Sequence, residues 1–286
     1  MNKALSLAEI ISYTRIMELK SFIVFADMDG TMLSDWDRGP YVPQRNIDGI
    51  DRLIGEGGAF SIASGRQYAD SMSFFPRHFF NAPSVQANGA VIWDCQSDRI
   101  LKQTPIPQCC KEELVEYTRR FKNLWLAAAD ENRIYELDFG DERDGKLTDG
   151  KRPHTSIEDF FARDFLKACF ILGDPKDMER VERDFAAMAC AGSLNSSISS
   201  PIYFECYDRS VDKGRGVLEA RRLSGNESKQ LVCIGDYFND LSMLLAADIA
   251  ACPANAPEEI KEVCQIITCS NNDGAIGELI ERLAQL

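Results

Sequence analysis

Hydrophobic residues in the first part of this chain form short continuous runs separated by helical spacings. Residues 22–27 and 59–64 are mainly apolar runs of strand length, and residues 84–87 form another short predicted strand that Asn88-Gly89 closes. Mainly apolar runs of this length are typical of strands buried on both faces of a parallel sheet, although periodicity alone leaves a buried helix open. Between the first two runs, four apolar residues recur at helical spacing: Ile47, Ile50, Leu53 and Ile54. The pattern predicts an α/β fold with a mainly parallel sheet.

From residue 91 onward the pattern changes to strand pairs. Two pairs are expected, residues 91–94 with 100–104 and residues 124–129 with 133–139. Further segments predict helices at 111–123 and after Asp174-Pro175, strands at 165–172 and 201–207, and a polar loop at 140–158. We therefore predict an inserted α+β domain at residues 91–208, between core segments at 1–90 and 209–286.

The α/β pattern returns after residue 209. It predicts helices at 213–223, 241–247 and 275–285, and an apolar strand at 231–236 that ends in an acid. At the other end of the chain, Ser6 lies three residues before Glu9, which is a capping-box pattern. Residues 1–20 are therefore expected to add an N-terminal helix to the core.

Composition and charge restrict the class of partner. The 286 residues are 45% hydrophobic and 27% charged, which is ordinary for a globular protein of about two domains. The net charge of -13 argues against binding to nucleic acid or to an anionic membrane. An acidic protein can still bind an anionic phosphate, but only with local cations or a metal, so a metal is expected. The pattern gives no indication of oligomeric state.

The cysteines and the N-terminus bear on location. Ten cysteines form no CxxC pair and no zinc-finger spacing, so buried free thiols in a reducing compartment are expected. No apolar run approaches the length of a membrane span, and residues 1–20 lack the apolar segment of a signal peptide. These features predict a cytoplasmic protein.

Two carboxylates lie at the end of the first predicted strand. Asp27 and Asp29 are two residues apart, and Gly30 allows a sharp turn after them. Open α/β sheets bind ligands beyond the carboxyl ends of their strands. Beside a hard cation, one carboxylate could act as a nucleophile and the other could transfer a proton. An acidic turn without function is the alternative.

A hydroxyl follows the second predicted strand. Ser64 precedes Gly65 and Arg66, which are expected to open a helix. The free amides and the dipole of a helix N-terminus favour an anion. The alternative is that Ser64 is simply the N-cap of that helix.

Four motifs in order resemble those of the haloacid dehalogenase (HAD) superfamily of phosphohydrolases: Asp27-Met28-Asp29-Gly30-Thr31, Ser64-Gly65-Arg66, Lys213-Gly214 and Gly235-Asp236-Tyr237-Phe238-Asn239-Asp240. Asn88-Gly89, Asn255-Ala256-Pro257 and the insertion between the second and third motifs are similar to the Cof-type branch. That branch carries a large α/β cap and includes sugar-phosphate and nucleotide-cofactor phosphatases. The resemblance implies a Rossmann-like three-layer core with an inserted α+β cap.

The resemblance also implies roles for individual residues. Asp27 would be the nucleophile, and Asp29 the general acid and base. Mg²⁺ would be held by the side chains of Asp27 and Asp236 and by the main-chain carbonyl of Asp29, with Asp240 supporting this set. The phosphoryl group would be bound by Ser64, Gly65, Lys213 and Asn239, and possible substrate contacts would come from Arg66 and Asn88. Taken singly, each of four residues has a plain alternative, namely a surface lysine (Lys213), a helix-start acid (Asp240), a surface arginine (Arg66) and a turn asparagine (Asn88).

The resemblance, together with these residues, implies a Mg²⁺-dependent phosphatase that hydrolyses a small soluble phosphomonoester, with a sugar phosphate as the expected substrate. Charged residues of the insertion that could meet a polar substrate are Arg119, Arg120, Arg133, Lys151, Arg152 and Arg163. The alternative is that they belong to a solvated face of mixed charge. Two alternatives remain open at this point. One is a phosphomutase of the phosphomannomutase type, and the other is a sensor that binds a phosphorylated metabolite without turnover.

Overall fold

The computed structural model describes residues 18–35, 39–75, 79–140 and 152–286. In these residues the strands are, in chain order, β1 (Phe22–Ala26), β2 (Ala59–Ile62), β3 (Ser84–Gln86), β4 (Val91–Asp94), β5 (Arg99–Gln103), β6 (Leu124–Ala129), β7 (Ile134–Asp138), β8 (His154–Ser156), β9 (Lys167–Leu172), β10 (Leu194–Ser200), β11 (Tyr203–Asp208), β12 (Gln230–Ile234), β13 (Ile249–Pro253) and β14 (Ile266–Thr268). The α-helices of the same residues are α1 (Gln44–Gly55), α2 (Tyr68–Met72), α3 (Gln108–Arg119), α4 (Ile157–Ala162), α5 (Met178–Ala186), α6 (Lys213–Leu223), α7 (Leu241–Ala246), α8 (Glu258–Lys261) and α9 (Ala275–Leu283). Residues 1–17 of the expected N-terminal helix lie outside the described residues, and Leu19–Ser21 form a single 3₁₀ turn.

A five-stranded parallel sheet forms the core, with strand order β14-β13-β12-β1-β2. Every residue of β1 is buried. Val24 and Ala26 face the layer of α1 and α9, whereas Ile23 and Phe25 face the layer of α6 and α7. The predicted three-layer α/β core is confirmed, and burial on both faces explains why β1 is continuously apolar.

A six-stranded sheet with order β10-β11-β9-β6-β7-β8 forms the insertion. Its strand pairs are antiparallel except β7 with β8. One face packs against α3, α4 and α5 through a cluster that includes Leu114, Phe160 and Phe185. The opposite face carries a smaller apolar group that includes Trp125 and Ile171. This sheet and its helices are the predicted α+β cap.

A third sheet, β3-β4-β5, lies where the chain leaves the core. A parallel bridge between Ala63 and Val85 joins β3 to the segment after β2, and Ile92 of β4 packs in a core cluster. The hairpin at residues 91–103 therefore lies beside the core. The division of the chain at residues 91 and 208 remains a proposal.

Two parts of the insertion differ from the predicted elements. The expected loop at 140–158 contains β8 and the start of α4, where Ser156 Oγ accepts a hydrogen bond of 3.0 Å from the N–H of Asp159. The strand β10 was not predicted, because its serine-rich sequence lacks the apolar pattern of a strand. It is an edge strand that is held by its pairing with β11.

The ten cysteines are free thiols. Cys109 on α3 is exposed, and Cys264 and Cys269 are half-buried. The other seven are buried: Cys95, Cys110, Cys169, Cys190, Cys206, Cys233 and Cys252. Within the described part of the chain, no helix has both the length and the apolar character that a membrane span requires.

Candidate active site

The parallel pairing of β1 with β12 brings two acids to one edge of the sheet. Ala26 pairs with Ile234, and the N–H of Asp27 donates to the carbonyl of Ile234 at 2.9 Å. Asp236 follows Ile234 after one glycine. The two carboxylates therefore lie together at the carboxyl ends of neighbouring strands, which is the usual ligand position in such sheets.

Lys213, the first residue of α6, lies between two of the acids. Its side chain is fully buried, and Nζ donates to Asp27 Oδ1 at 2.6 Å and to Asp240 Oδ1 at 2.5 Å. Burial alone would lower the pKa of Lys213, but the carboxylates of Asp240 and Asp27 raise it. Lys213 is therefore a buried ammonium, and the alternative of a solvated surface lysine is wrong.

Asp240 binds three donors. Beyond Lys213 on Oδ1, its Oδ2 accepts the N–H groups of Asp236 at 2.9 Å and of Tyr237 at 3.0 Å. A Cβ on Gly235 would lie 2.5 Å from the Asp240 carboxyl carbon, so a side chain at that position would displace the carboxylate. Because both of its oxygens are engaged, Asp240 orients Lys213 and the main chain of Asp236, which is more than the interaction of a helix-start acid with a dipole.

The acids share a region of excess negative charge. Asp27, Asp236 and Asp240 each bring a carboxylate oxygen within 4.8 Å of the others. Burial raises the pKa of Asp27 well above its usual value, and the charge of Asp240 adds to this effect. Burial and Asp240 likewise raise the pKa of Asp236 to about 7, although its Oδ1 accepts a 2.7 Å hydrogen bond from Thr31 Oγ1. Ionised carboxylates are therefore costly here without a further cation.

A tight turn carries Asp29 away from β1. Gly30 has a φ of +74°, a conformation that favours glycine. A Cβ there would lie 2.3 Å from Asp236 Oδ2. Asn255, which belongs to the motif near the end of the chain, donates from Nδ2 to the Gly30 carbonyl at 2.8 Å. The turn is therefore held by a residue that is distant in sequence.

Arg66 binds the carboxylate of Asp29 in a bidentate pair. Nε is 2.7 Å from Oδ2 and Nη2 is 2.7 Å from Oδ1. Burial alone would lower the pKa of Arg66, but the hydrogen bonds to Asp29 raise it. Arg66 was expected to contact substrate, and this expectation stays a prediction; the described contact is with Asp29.

Ser64 follows β2 at the same edge of the sheet. It is buried, and its Oγ accepts the N–H of Arg66 at 3.1 Å. The expected helix start at Gly65 is wrong: α2 begins at Tyr68 after the N-cap residue Gln67. The reason is that residues 64–66 bond to residues 85–88 instead. Ser64 is therefore not the N-cap of this helix.

Asn88 lies beside Ser64, and Asn239 contacts Asn88. The N–H of Asn88 donates to the Ser64 carbonyl at 2.9 Å, and Asn239 Nδ2 donates to Asn88 Oδ1 at 3.4 Å. Asn88 has a φ of +56°, so it is a turn asparagine whose side chain also reaches the site. Gly65 packs closely against it, because a Cβ on Gly65 would lie 3.1 Å from Asn88 Oδ1.

A family model described as haloacid dehalogenase-like hydrolase matches residues 24–280. The chain belongs to this family. A putative phosphatase of Haemophilus influenzae is 30% identical, over 90% of this chain and 96% of that protein. The 5-amino-6-(5-phospho-D-ribitylamino)uracil phosphatase YwtE of Bacillus subtilis is 24% identical, over 90% of this chain and 96% of that protein. The solved structure of the HAD subclass IIB sugar phosphatase BT4131 shares the fold, with a TM-score of 0.76 and 17% identity over 93% of this chain and 100% of that one.

The resemblance to HAD phosphohydrolases is confirmed, and this HAD hydrolase is a phosphatase. Its acid cluster fits a hard divalent cation, because carboxylate oxygens are the ligands such cations prefer. The raised pKa values of Asp27 and Asp236 reflect a repulsion that a cation would relieve. Of the three acids, Asp27 and Asp236 could bind the ion through their side chains, whereas both oxygens of Asp240 are engaged.

The sequence patterns of this HAD hydrolase did not reveal two buried charged residues beside the site. Lys167 of β9 and Glu205 of β11 form an ion pair with an N–O distance of 2.6 Å. Both residues lie in segments that were predicted to be strands. A single charged residue within an otherwise apolar strand could have indicated a buried functional or structural charge. Of the cationic residues of the insertion that could meet a polar substrate, Arg152 lines a cavity of about 40 Å³ beside this pair.

Proposed function

We propose that this phosphatase is Mg²⁺-dependent and hydrolyses a small phosphomonoester through an aspartyl-phosphate on Asp27. The observation that carries the proposal is the buried Lys213, which is shared by Asp27 and Asp240 beside Asp236. Phosphoryl transfer depends mainly on positioning and on neutralising the charge of the phosphoryl oxygens. A fixed ammonium beside a cation-binding acid set supplies both.

The metal would be bound by this chain's acids. The side chains of Asp27 and Asp236 and the main-chain carbonyl of Asp29 would hold Mg²⁺, and Asp240 would orient the set. When bound, Mg²⁺ would neutralise charge on the phosphoryl oxygens.

The proposed reaction has two steps. In the first, an Asp27 carboxylate oxygen bonds to phosphorus while the bond from phosphorus to the ester oxygen breaks, and Asp29 donates a proton to the leaving oxygen. In the second, a water oxygen bonds to phosphorus while the Asp27–phosphorus bond breaks. Asp29 takes the proton of that water, and inorganic phosphate leaves.

The phosphoryl oxygens would be bound by Ser64, Gly65, Lys213 and Asn239, with Arg66 and Asn88 as candidate substrate contacts. An ammonium has three N–H donors, and Lys213 directs two of them to Asp27 and Asp240. The third would bind a phosphoryl oxygen. Ser64 would bind from the neighbouring strand end.

For the substrate we propose a phosphorylated sugar or sugar alcohol. The fold is shared with a sugar phosphatase, and YwtE, a relative, is named for a phosphoribityl compound. Sugars and ribityl chains both present several hydroxyls, so a polyhydroxylated leaving group is common to both. We further propose a cytoplasmic location, which is consistent with ten free thiols.

The test is phosphate release from sugar phosphates, phosphoribityl compounds, nucleotides and cofactor phosphates, with Mg²⁺ and with EDTA. We expect release only with Mg²⁺ and the highest kcat/KM for a phosphorylated polyol. Equal release in EDTA would contradict the metal requirement. An isomeric sugar phosphate without inorganic phosphate would indicate a mutase instead.

A further inference from the structure

A buried ion pair joins the six-stranded sheet to the segment that carries Ser64. Lys167 and Glu205 lie on neighbouring strands, and their side chains are only 4% and 8% exposed. Lys167 Nζ donates to Glu205 Oε1 at 2.6 Å and to the Gly65 carbonyl at 2.8 Å. Glu205 Oε2 in turn accepts a hydrogen bond from Asn88 Nδ2.

The two points that the pair binds belong to one unit of the core. The N–H of Asn88 donates to the Ser64 carbonyl, and the N–H of Ala87 donates to the Arg66 carbonyl, both at 2.9 Å. Residues 64–66 and 87–88 are therefore tied together by their main chains. Lys167 binds one side of this unit and Glu205 binds the other.

A third bond joins the same region to the insertion. The N–H of Tyr68 donates to the Glu131 carbonyl at 3.3 Å, and Glu131 lies in the turn between β6 and β7. The insertion thus contacts this region of the core from two strands, β9 and β11, and from the one turn between β6 and β7.

The cost of the pair calls for an explanation. Burying two charges is expensive, and an apolar pair of similar volume is often as stable. The proposed chemistry at Asp27 and Asp29 does not use Lys167 or Glu205. Their hydrogen bonds instead fix the main-chain carbonyl of Gly65, a proposed phosphoryl-binding residue, and the side-chain amide of Asn88, a candidate substrate contact.

We propose that Lys167 and Glu205 are positioning residues for phosphoryl binding. They hold the Ser64–Arg66 segment and Asn88 in the orientation that binds the phosphoryl group, and they do so only while the six-stranded sheet lies against the core. The inference rests on the proposed phosphatase function of the same site. Because the pair acts on the phosphoryl side, its removal should affect every phosphomonoester equally, whatever its leaving group.

The experiment compares Lys167→Met with Lys111→Met. Lys111 is also a buried lysine of the insertion, and it donates to the Arg163 carbonyl at 2.6 Å, so it controls for the loss of a buried lysine. For Lys167→Met we expect kcat/KM to fall roughly tenfold to a hundredfold for each ester, which is the size of effect that a small misplacement produces. The Kd of inorganic phosphate, measured by calorimetry with Mg²⁺, should rise together with this loss, while the Mg²⁺ requirement stays unchanged.

Glu205→Gln is the second variant, to be used if Lys167→Met does not fold. It keeps the shape of the Glu205 side chain and removes its charge. If the new amide nitrogen at this position faced Asn88 Nδ2, two hydrogen-bond donors would lie together. We therefore expect the same lower kcat/KM and higher Kd of inorganic phosphate as in Lys167→Met. If either folded variant shows unchanged kcat/KM and unchanged phosphate binding, with only a lower Tm like Lys111→Met, the proposal is overturned.

A second outcome would also overturn it. Lys167 and Glu205 line a small cavity together with Arg152 and Tyr203. A loss confined to one ester, with unchanged binding of inorganic phosphate, would make Lys167 a contact of the leaving group instead. If the unmodified enzyme released no phosphate, the proposed phosphatase function would be contradicted. The role of Lys167 and Glu205 would still be tested, because calorimetry measures phosphate binding without turnover.

Discussion

Arg66 donates to both carboxylate oxygens of Asp29, at 2.7 Å each. A bidentate pair of this kind fixes the plane of a carboxylate as well as its charge. The Asp29 side chain is 44% exposed, so little packing would hold it otherwise. The guanidinium of Arg66 lies 5.2 Å from the ring centroid of Phe74, which gives the arginine a fixed support. The orientation of the proposed general acid therefore depends on a residue that follows a different strand.

Arg66→Lys keeps the positive charge but loses the planar fork. We expect kcat to fall roughly tenfold or more, because the Asp29 carboxylate would no longer be held in one orientation. The Mg²⁺ concentration for half-maximal activity should change little. Steady-state kinetics at several Mg²⁺ concentrations measures both quantities.

The matched control is Arg45→Lys. Arg45 forms the same kind of fork with Glu281, at 3.0 and 2.6 Å, but the pair is exposed and lies outside the candidate site. This control should retain full kcat. Full activity of Arg66→Lys, or an equal loss in both variants, would contradict the role given to Arg66.

The core and its acids could be predicted because local signals and global structure agree. The runs at 22–27 and 231–236 are mainly apolar because both faces of their strands are buried, and each run ends in one of the acids that meet at the sheet edge. Parallel pairing of the strands then brings Asp27 and Asp236 together without any further information.

The remaining features depend on partners that are distant in sequence. Asp29 and Arg66 are 37 residues apart, and Asn88 and Glu205 are 117 residues apart. Neither pair has a local pattern. The strand β10 forms because its main chain pairs with β11. Its own serine-rich sequence has no strand preference that would have predicted it. In contrast, Ser156 followed by Asp159 is a helix-start pattern that could have revealed α4 within the predicted loop.

Asp27→Asn removes the proposed nucleophile. We expect turnover to fall by roughly 10³-fold or more, as when other nucleophiles are removed. In EDTA the variant should unfold at the same temperature or higher, because burial disfavours the charged form of Asp27 and an amide carries no charge. A gain in the free energy of unfolding should be at most roughly 0.5–2 kcal/mol, the usual range for a single stabilising substitution.

Thermal melting with EDTA and with Mg²⁺ separates these effects. Mg²⁺ should raise the Tm of the unmodified enzyme by binding its folded state, and should raise that of Asp27→Asn much less. A Tm in EDTA several degrees below that of the unmodified enzyme would show that the Asp27 charge stabilises the fold. Substantial residual turnover would refute the assignment of the nucleophile.

Asp240→Asn tests the support of the metal site. Asp240 accepts hydrogen bonds from Lys213 and from the N–H groups of Asp236 and Tyr237, and an amide would direct its own donors at one of these groups. We expect Mg²⁺ affinity to fall roughly 10- to 100-fold, the usual cost of losing a residue that orients metal ligands. Calorimetric titration with Mg²⁺ measures the change.

Asp130→Asn is the control for this variant. Asp130 has the same arrangement in the insertion, since Oδ1 accepts the N–H groups of Asn132 at 2.9 Å and Arg133 at 2.8 Å, and Oδ2 accepts Arg163 at 2.8 Å. It should lower stability without changing Mg²⁺ affinity. Unchanged Mg²⁺ affinity in Asp240→Asn would show that Asp240 does not support the metal ligands.

Because most of the thiols are buried, the enzyme has one exposed thiol to which a fluorescent dye can be attached. Cys109 is the exposed thiol, and it lies on α3 of the insertion. The half-buried thiols have raised pKa values, Cys264 through contact with Cys252 and Cys269 through burial, which raises its pKa to about 11. Because the thiolate is the reactive form, a maleimide dye at neutral pH should label Cys109 first. Any change in the surroundings of α3 during turnover would thus be detectable on the unaltered chain, without first removing nine cysteines.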